Sequence, residues 1–578
     1  MQTLQDLFIE ALTQAIQDAF PNELAIEEQR ADISACAQEE FGHYQCNSAM
    51  RLAKLLKTSP RQVAQKLLET IPSQFKAKLS KAEIAGPGFL NFSLSSGALG
   101  SELEQMKCDP LLGTTRPKKE RVIVEFSSPN IAKELHVGHL RSTIIGDCLA
   151  RLMEFLGHEV IRLNHIGDWG TQFGMLIRYL KLKAPEILQG KKAADLQVLL
   201  QHYRAAKVLF DEDPTFKKEA QLEVVQLQSG NPESLQAWKM ICDISRTGFQ
   251  EIYDLLDVKI QERGESFYNP QLKQIVEELE QKHLVTISNG AKCIFLDGFK
   301  NREGEPLPLM IQKSDGGYNY DTTDMAAIKY RIFEDRADRI IVVTDNGQSL
   351  HFQLVFAAAE KAGWLDRKKT RVDHVGFGLV LGTDGKKFKT RSGHTEKLID
   401  LLYEAIDQAK QGILERNPEQ DPATLEQLAK TLGIGAVKYA DLSSHRTKDY
   451  TFSYERMLRF EGNTAVFLLY AYVRICGIQR KVGEAVSGPI RLTHPSELSL
   501  ALHLRRFGEA LESVANDLLP NRLAEYLYEL AEKFNAFFRD CRVEGSPEEA
   551  SRLSLCQLTG RVLKQGLEIL GLKITTRM

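Results

Sequence analysis

The sequence predicts a multi-domain α/β protein with a doubly wound parallel-sheet core, an N-terminal α+β domain and a C-terminal all-helical bundle. Three observations lead to this prediction. The chain has 578 residues, more than a single domain usually contains. Strand-like and helix-like segments alternate through its middle, which is typical of a parallel sheet. After about residue 455 the strand pattern disappears while helical spacing continues.

The N-terminal α+β domain is predicted over residues 1–112. Apolar residues recur there at helical spacing, at Leu4, Leu7, Phe8, Leu12 and Ile16. A strand is predicted at 88–93, directly after the turn signal at Gly86 and Pro87. The polar stretch that follows, 114–120, is typical of a linker.

The core domain is predicted over residues 113–454. Buried strands are expected at 122–126, 159–163 and 340–343. A helix is expected to begin near Gly138, because an apolar stripe follows at four-residue spacing, at Leu140, Ile144, Cys148 and Leu152. The charged, helix-rich region at about 183–300 is interpreted as a helical insertion in this domain.

The C-terminal domain is predicted over residues 455–578. Apolar residues keep helical spacing over several turns there, at Leu523, Leu527, Leu530, Phe534, Phe537 and Cys541. Neighbouring segments have the same pattern, so this domain is expected to be a helical bundle.

Composition and charge exclude several classes of protein. With 43% hydrophobic and 26% charged residues, the chain is neither disordered nor collagen-like. No apolar run approaches the ~20 residues that span a bilayer, so we expect no membrane association. Acidic residues at positions 6, 10 and 18 are unlike a signal or transit peptide. Because the net charge is −3, nucleic acid would have to be bound by local basic faces.

The cysteines give an expectation about compartment and metal. Nine of them lie far apart in the sequence, and no two form a CxxC pair. This spacing differs from that of a zinc cluster or a disulfide framework. We therefore expect reduced thiols in a cytoplasmic protein, and no metal held by protein ligands.

Two segments are candidates for phosphate chemistry. The first, HVGH, follows a predicted strand and opens a helix, which is where open α/β sheets bind ligands. His136 and His139 would lie on one face of the first turn and could contact phosphate oxygens, and Gly138 would let a base approach the backbone. The alternative is that both histidines are helix caps or core residues.

The second segment, 382–393, has glycines around four cations, at Lys386, Lys387, Lys389 and Arg391. It is typical of a mobile loop that closes on a polyphosphate. The alternative is a solvated surface hairpin.

Together these two elements resemble the HIGH and KMSKS signatures of class I aminoacyl-tRNA synthetases, and within that class the chain is similar to the arginyl-tRNA synthetase family. The similarity is found in EFSSPNIAKELHVGHLRSTIIGD, NHIGDWGTQFG, YDTTDMAA, the turn 348–351, HVGFG at 374–378, FNAFFRDCRV, FGHYQCNSAMRLAK and AGPGFLNF. It spans essentially the whole chain and implies a Rossmann-like core.

The resemblance implies an arginine–tRNA ligase that works in two steps. The carboxylate of L-arginine would attack the α-phosphorus of ATP, and the resulting arginyl-adenylate would pass its arginyl group to the 2′-hydroxyl of the terminal ribose of tRNA(Arg). The first step needs no general base because the carboxylate is already ionised. Mg²⁺ would arrive with ATP, and no tightly bound cofactor is expected. The catalytic and ATP-binding residues that the resemblance implies are His136, Gly138, His139, Lys387 and Lys389.

The resemblance also implies an amino-acid pocket formed by Glu125, Tyr320 and Asp324, with Asn130 and Gln348 at the α-amino end. Its chemistry fits arginine, since a planar guanidinium needs carboxylates placed for forked hydrogen bonds. The alternative makes Asp324 a helix-capping acid.

The second signature departs from the family pattern. Lys387 occupies the first lysine position of KMSKS, but Thr390 replaces the second lysine. The missing charge has two candidate replacements, Lys389 in the same loop and Lys133 before the histidines. Family members with this altered loop carry a lysine at the latter place, which favours Lys133 as a catalytic residue.

The flanking domains of the family bind tRNA. The resemblance places Phe89 and Asn91 at the tRNA elbow. Candidates for the anticodon loop are exposed aromatic and arginine residues of the bundle, Tyr470, Arg474, Phe538 and Arg542, because such side chains stack on unpaired bases. The alternative is that each is a packing residue or a solvated charge.

Three rival functions are open at this point. A small nucleotidyltransferase shares HxGH but is far shorter and has no helical bundle. A catalytically inactive tRNA-binding relative would not need both histidines, both acids and the basic loop. A cysteine- or glutamine-specific synthetase would need a different pocket. Nothing in the sequence indicates a dimer, so a monomer is expected.

Overall fold

A computed structural model of the chain describes residues 1–301, 303–386, 388, 397–482 and 488–578. It divides into two compact units. The first contains residues 1–117, 459–569 and 573–578, and the second contains residues 118–458 and 570–572. The predicted fold class is confirmed, with a parallel sheet in the second unit and an antiparallel sheet and a helical bundle in the first.

The N-terminal part of the first unit is an antiparallel sheet covered by helices. Its strands run in the order Ile33–Ala35, Tyr44–Cys46, Phe89–Leu94, Leu79–Ala85. Its helices are Leu4–Ala19, Ser48–Leu55, Pro60–Thr70, Ser73–Lys76 and Ser96–Cys108, with 3₁₀ turns at Ile26–Glu28 and Glu39–Phe41. The first helix begins where Thr3 caps it, and its predicted apolar stripe is buried except for Leu7, which is half-buried.

The C-terminal part of the same unit is helical throughout its described residues. The helices are Ala465–Val482, Pro495–Arg505, Phe507–Asp517, Asn521–Asp540 and Glu549–Ile569. This bundle packs against the N-terminal part: the buried Arg505 pairs with Glu102 at 3.3 Å, and the Tyr44 hydroxyl donates to Glu509 at 2.5 Å. Sequence patterns did not predict that the two ends of the chain form one unit.

The second unit is built on a parallel sheet, in which the described residues contribute five strands. Their order is Arg371–Phe377, Arg339–Asp345, Arg121–Glu125, Glu159–Asn164, Gln261–Glu262. The chain starts in the middle strand, builds one side and then returns to build the other. The order therefore reverses between Arg121–Glu125 and Arg339–Asp345, and ligands bind at such a point, outside the carboxyl ends of the strands.

The other elements of this unit surround the sheet. The helices are Val137–Phe155, Thr171–Lys183, Pro185–Leu188, Leu196–Glu212, Pro214–Gln228, Pro232–Leu255, Asn269–Gln281, Tyr320–Phe333, Ser349–Lys361, Leu398–Arg416, Pro422–Leu442 and Tyr454–Met457, with 3₁₀ turns at Glu265–Tyr268 and Asn346–Gln348. The strands Val380–Leu381 and Tyr450–Thr451 form a short parallel pair. In the part of the chain that the structure describes, no helix is both long and apolar enough to cross a bilayer.

The region predicted as a helical insertion at about 183–300 differs from the prediction at its C-terminal end. An antiparallel sheet of Thr286–Ser288, Ala291–Lys300 and Pro306–Gln312 lies there. Its buried residues, among them Ile294 and Leu309, pack on the helix Tyr320–Phe333 in the main core. Charged residues within and between these strands interrupt the apolar alternation, so the sequence pattern did not indicate strands here. The domain boundaries 1–112, 113–454 and 455–578 stay a prediction.

Candidate active site

A cavity of about 850 Å³ opens at the carboxyl ends of the core strands. It lies at the reversal of strand order, where a ligand site is expected. Most residues predicted to bind substrate line it: Glu125, Asn130, His136, Gly138, His139, Tyr320, Asp324 and Gln348. Folding therefore brings together residues from segments that are far apart in the sequence.

The loop between the first core strand and the histidine helix has an unusual backbone. Ser127, Ser128 and Ala132 have φ values of 71°, 48° and 58°, in the left-handed region that residues with a side chain rarely adopt. Each such residue costs about 1–3 kcal/mol and persists only where its surroundings hold it. Here the Ser128 N–H donates to Asn164 Oδ1 at 2.9 Å, and the Ala132 N–H donates to Ser245 Oγ at 3.1 Å. The loop is thus stabilised by the structure around it.

The two histidines cap the helix and line the cavity at the same time. His136 Nδ1 accepts from the Gly138 N–H at 3.0 Å, and His139 Nδ1 accepts from the His136 N–H at 3.1 Å. A neutral imidazole whose Nδ1 accepts a hydrogen bond carries its proton on Nε2, where it can donate to a ligand. Burial lowers the pKa of His139 to about 3, helped by the charges of His136 and Lys133, so this ring is neutral at pH 7.

At two positions of this site a neighbouring side chain lies so close to the backbone that only glycine fits. A Cβ on Gly138 would lie 2.9 Å from Cε1 of His136, so the glycine lets the histidine ring fold back over the helix start. A Cβ on Gly167 would lie 2.2 Å from Oδ1 of Asn130. Gly167 and Asn130 form a parallel bridge, which fixes Asn130 at the cavity wall.

Asp324 does not cap its helix. The helix Tyr320–Phe333 is capped by Asn319, and Asp324 lies in its second turn. Oδ2 of Asp324 is 2.6 Å from Nε2 of His351, and Oδ1 is 3.6 Å from Nε2 of His165. Burial opposes ionisation of Asp324, but the hydrogen bond from His351 and the charges of both histidines hold its pKa below the ordinary value. The capping alternative is excluded, and Asp324 is an ionised acid in the cavity wall.

Glu125 is already paired within the protein. Its Oε2 lies 2.5 Å from Nη1 of Arg331, and the two side chains are only 5% and 4% exposed. A buried ion pair of this kind is costly to break, because either partner alone would be an uncompensated charge. The Arg331 guanidinium therefore offsets much of the negative charge that Glu125 brings to the cavity.

Sequence comparisons identify the family. One profile, described as tRNA synthetases class I (R), catalytic domain, matches residues 103–454, which is more than half of the chain. The chain belongs to the arginyl-tRNA synthetases of class I. Two further profiles agree: the arginyl-tRNA synthetase N-terminal domain matches residues 4–94, and the DALR anticodon-binding domain matches residues 468–578. The resemblance inferred from the motifs is confirmed.

Arginyl-tRNA synthetases of other organisms are similar over the full length. The chain is 59% identical over 585 residues to the arginine–tRNA ligase of Protochlamydia amoebophila, with 100% of both chains covered. It is 52% identical to that of Chlamydia felis, with 98% of both covered. The crystal structure of arginyl-tRNA synthetase from Plasmodium falciparum is 34% identical, with a TM-score of 0.87 over 100% of both chains. The chain is an arginine–tRNA ligase, and ATP is a substrate.

Of the three lysines predicted for phosphate chemistry, the structure describes Lys133. Lys133 is exposed and does not line the cavity, although its charge reaches His139. Lys387 and Lys389 lie outside the described residues, as do Thr390 and Arg391. Their roles stay predictions.

The residues predicted to contact tRNA fall into two groups. In the bundle, the Arg474 guanidinium lies 5.0 Å from the ring centre of Tyr470 and 4.9 Å from that of Phe538. Both rings are about two-fifths exposed. Arg542 is also exposed but donates to the Glu544 carbonyl.

The two N-terminal residues are less open. Phe89 is half-buried at the start of its strand. Asn91 is 4% exposed and accepts from Gln45 Nε2 at 2.8 Å. In this structure Asn91 is therefore a buried residue that is hydrogen-bonded within the sheet. Its contact with tRNA stays a prediction.

Sequence reasoning missed several charged residues of the site. Arg331 pairs with Glu125, His165 and His351 contact Asp324, and Glu265 lines the cavity. One signal was available: His165 directly follows the second core strand, in the position where such sheets place ligand contacts. The other three could not be assigned from local pattern.

The protonation state of Glu265 is expected to change when arginine binds. Burial, together with the charges of Asp324 and Asp168, raises the pKa of Glu265 to about 8, so Glu265 holds a proton at pH 7. A bound guanidinium would favour the ionised form. We expect arginine binding at pH 7 to release protons, and the KM for arginine to fall as the pH rises from 7 to 8.5. Calorimetric titration in two buffers of different ionisation enthalpy measures the release.

The matched variant is Glu265→Gln, which keeps the shape but cannot titrate. Its proton release should be smaller than that of the parent enzyme, and its KM for arginine should change less with pH. Equal proton release by both enzymes would show that Glu265 does not lose its proton when arginine binds.

Proposed function

We propose that this cavity binds L-arginine and ATP side by side and that arginyl-adenylate forms there before the arginyl group passes to the 3′-terminal ribose of tRNA(Arg). The observation that carries the proposal is an ionised carboxylate, Asp324, in the same cavity wall as the two histidines of the HVGH segment. The carboxylate suits the guanidinium end of arginine, and the histidines suit the phosphates of ATP.

The amino-acid end is bound by residues on two sides of the cavity. Asp324 accepts hydrogen bonds from the guanidinium, and Tyr320, which is 60% exposed beside it, covers the side chain. Asn130 and Gln348 hold the α-amino group. Both lie in loops at strand ends and are exposed, which suits contact with a ligand. This arrangement places the substrate carboxylate toward the histidine helix.

The reaction at phosphorus depends on position and charge. The ionised carboxylate of arginine attacks the α-phosphorus in line, the bond to the β-phosphate oxygen breaks, and pyrophosphate leaves with its Mg²⁺. His136 and His139 donate from Nε2 to phosphate oxygens at the helix start, where the helix dipole also favours negative charge. Lys133, Lys387 and Lys389 neutralise the developing charge.

The tRNA is bound by the first unit. In the bundle, Tyr470, Arg474 and Phe538 form a cation–π cluster whose two rings are partly exposed. Aromatic rings stack on unpaired bases, each contributing about 1–3 kcal/mol. We assign this cluster, with Arg542 nearby in sequence, to the anticodon loop, and Phe89 and Asn91 to the elbow.

We also propose a cellular compartment and an oligomeric state for the enzyme. All nine cysteines are described and are free thiols, which suits the reducing cytosol. We propose that the enzyme acts as a monomer, because nothing in the sequence indicates a dimer.

Asp324→Asn tests the amino-acid pocket. The variant keeps the size of the side chain but removes the charge partner of the guanidinium. We expect the affinity for arginine to fall by about 1.5–3 kcal/mol, the range for a hydrogen bond to a charged group. The KM for ATP should change little. Pyrophosphate exchange at varied arginine and ATP concentrations, with tRNA present, measures both constants.

Asp297→Asn is the matched control, because Asp297 is an exposed acid on the strand Ala291–Lys300 and does not line the cavity. Its effect on the KM for arginine should be the smaller of the two. If Asp324→Asn lowers the melting temperature but leaves the KM for arginine unchanged, the pocket assignment fails.

A further inference from the structure

A chain of three side chains crosses the wall of the cavity. Asp321 accepts from the Met310 N–H at 3.2 Å and from Asn319 Nδ2 at 3.2 Å, both through Oδ2. Its other oxygen, Oδ1, lies 3.2 Å from Nδ1 of His351. Nε2 of the same ring lies 2.6 Å from Oδ2 of Asp324. Asp324 is therefore connected through His351 to a carboxylate that the backbone holds in place.

Both ring nitrogens of His351 face carboxylate oxygens, and this decides its charge. A neutral imidazole has one N–H, so it would leave one carboxylate without a donor, whereas an imidazolium donates to both. Burial alone would lower the pKa of His351, but the hydrogen bonds to Asp321 and Asp324 and their charges raise it to about 9. At pH 7 the three groups together carry one net negative charge, which remains available to a cationic substrate.

The ring is fixed in other directions as well. It packs edge-on against Tyr320 and Phe352, with ring centres 5.1 Å away in each case. Its side chain is 17% exposed and lines the cavity. These contacts orient the ring, and its Nε2 therefore donates to the Asp324 carboxylate from a defined direction.

We infer that His351 is a positioning residue for amino-acid recognition: it holds one oxygen of Asp324 by a hydrogen bond anchored on Asp321, and thereby aims the carboxylate at the substrate guanidinium. The inference rests on the proposed role of Asp324. Forked recognition of a planar guanidinium requires a carboxylate in a fixed plane, and a freely rotating one would have to be ordered at each binding event. The role differs from substrate contact, since His351 acts through Asp324.

Two substitutions separate hydrogen bonding from packing. His351→Phe keeps the ring and its contacts with Tyr320 and Phe352 but removes both donors. We expect its KM for arginine to rise about 10-fold, at the lower end of what a lost hydrogen bond between charged groups costs, while its KM for ATP stays within about twofold. His351→Gln keeps one donor within reach of Asp324 and should restore most of the arginine KM.

The matched control is His374→Phe. His374 also packs on Phe352, with ring centres 5.3 Å apart, and its Nε2 bonds to the Thr344 hydroxyl rather than to a carboxylate. The loss of a ring hydrogen bond at this position should leave the KM for arginine within about twofold. An equal increase at both positions would mean that general packing, not the link to Asp324, controls recognition, and would overturn the inference.

A double variant distinguishes failure of this inference from failure of the proposed pocket. If His351 acts through Asp324, adding His351→Phe to Asp324→Asn should change the KM for arginine by less than about twofold more, because linked residues are not additive. If the KM increase of the double variant equals the product of the two single increases, the inference about His351 is overturned but the pocket assignment is not. An unchanged KM in Asp324→Asn alone would overturn the pocket, and the positioning role with it.

Discussion

Pyrophosphate exchange is expected to proceed with L-arginine and to be slower by a factor of about 10⁴ or more with L-lysine. The reason is the number and direction of the acceptors in the cavity. A guanidinium presents several N–H donors in one plane, whereas a lysine ammonium is a point charge. Lysine would fill fewer of the acceptor positions that Asp324 has left beside its bond to His351, and an unfilled buried acceptor is costly.

Two cationic side chains of the protein lie beside the acids of the cavity, and this supports the expected selectivity for arginine. Arg331 offsets the charge of Glu125, and His351 offsets that of Asp324. A substrate is therefore attracted less by bulk negative charge, which any cation would satisfy, than by hydrogen bonds in the right directions. An amino-acid panel in the exchange assay, run with and without tRNA, measures the selectivity. Comparable rates with lysine, or activity only with another amino acid, would contradict it.

Lys133→Ala is expected to slow adenylate formation by on the order of 10²-fold, the usual scale for one lost charge stabiliser. Thr390 stands where the family pattern has a second lysine, so the chain needs a positive charge from elsewhere. Lys133 lies close enough to influence His139, and its side chain is exposed. Its four-carbon stem could therefore reach the phosphates when ATP is bound. Single-turnover measurement of adenylate formation isolates this step.

Three further variants make the Lys133 prediction specific. Lys259→Ala removes an exposed lysine elsewhere in the second unit and should leave the rate unchanged. Lys389→Ala should have a milder effect than Lys133→Ala. Thr390→Lys restores the family's lysine and should partly rescue the Lys133 variant. A Lys133→Ala enzyme that activates arginine at the normal rate would show that the compensating charge comes from another residue.

Much of the architecture follows from local sequence. The apolar stripe from Leu523 to Phe537 predicted a helix, and the structure has Asn521–Asp540 with those residues buried. The alternating strand and helix patterns predicted the parallel sheet, and HVGH was correctly placed at the strand–helix junction. Such features depend on spacing along one segment, which the sequence displays directly. The positions of substrate-binding residues came instead from the resemblance to a family.

Features that depend on distant partners were decided only by the tertiary structure. Ser127 and Ala132 have positive φ without being glycine, because donors and acceptors from other elements hold the loop. Local preference alone would have placed glycine there. Packing of the N-terminal domain against the helical bundle likewise depends on an ion pair between Glu102 and Arg505, residues with no relation in sequence.

The charge of the site shows the same division. The sequence alone determined that Glu125 and Asp324 are acids at a strand end and near a helix start, and the family resemblance made them candidates for binding a guanidinium. Only folding decided that Arg331 neutralises Glu125 and that His351 holds Asp324. The physical reason is that the pKa and direction of a carboxylate depend on groups within a few ångströms in space, and those groups are far away along the chain.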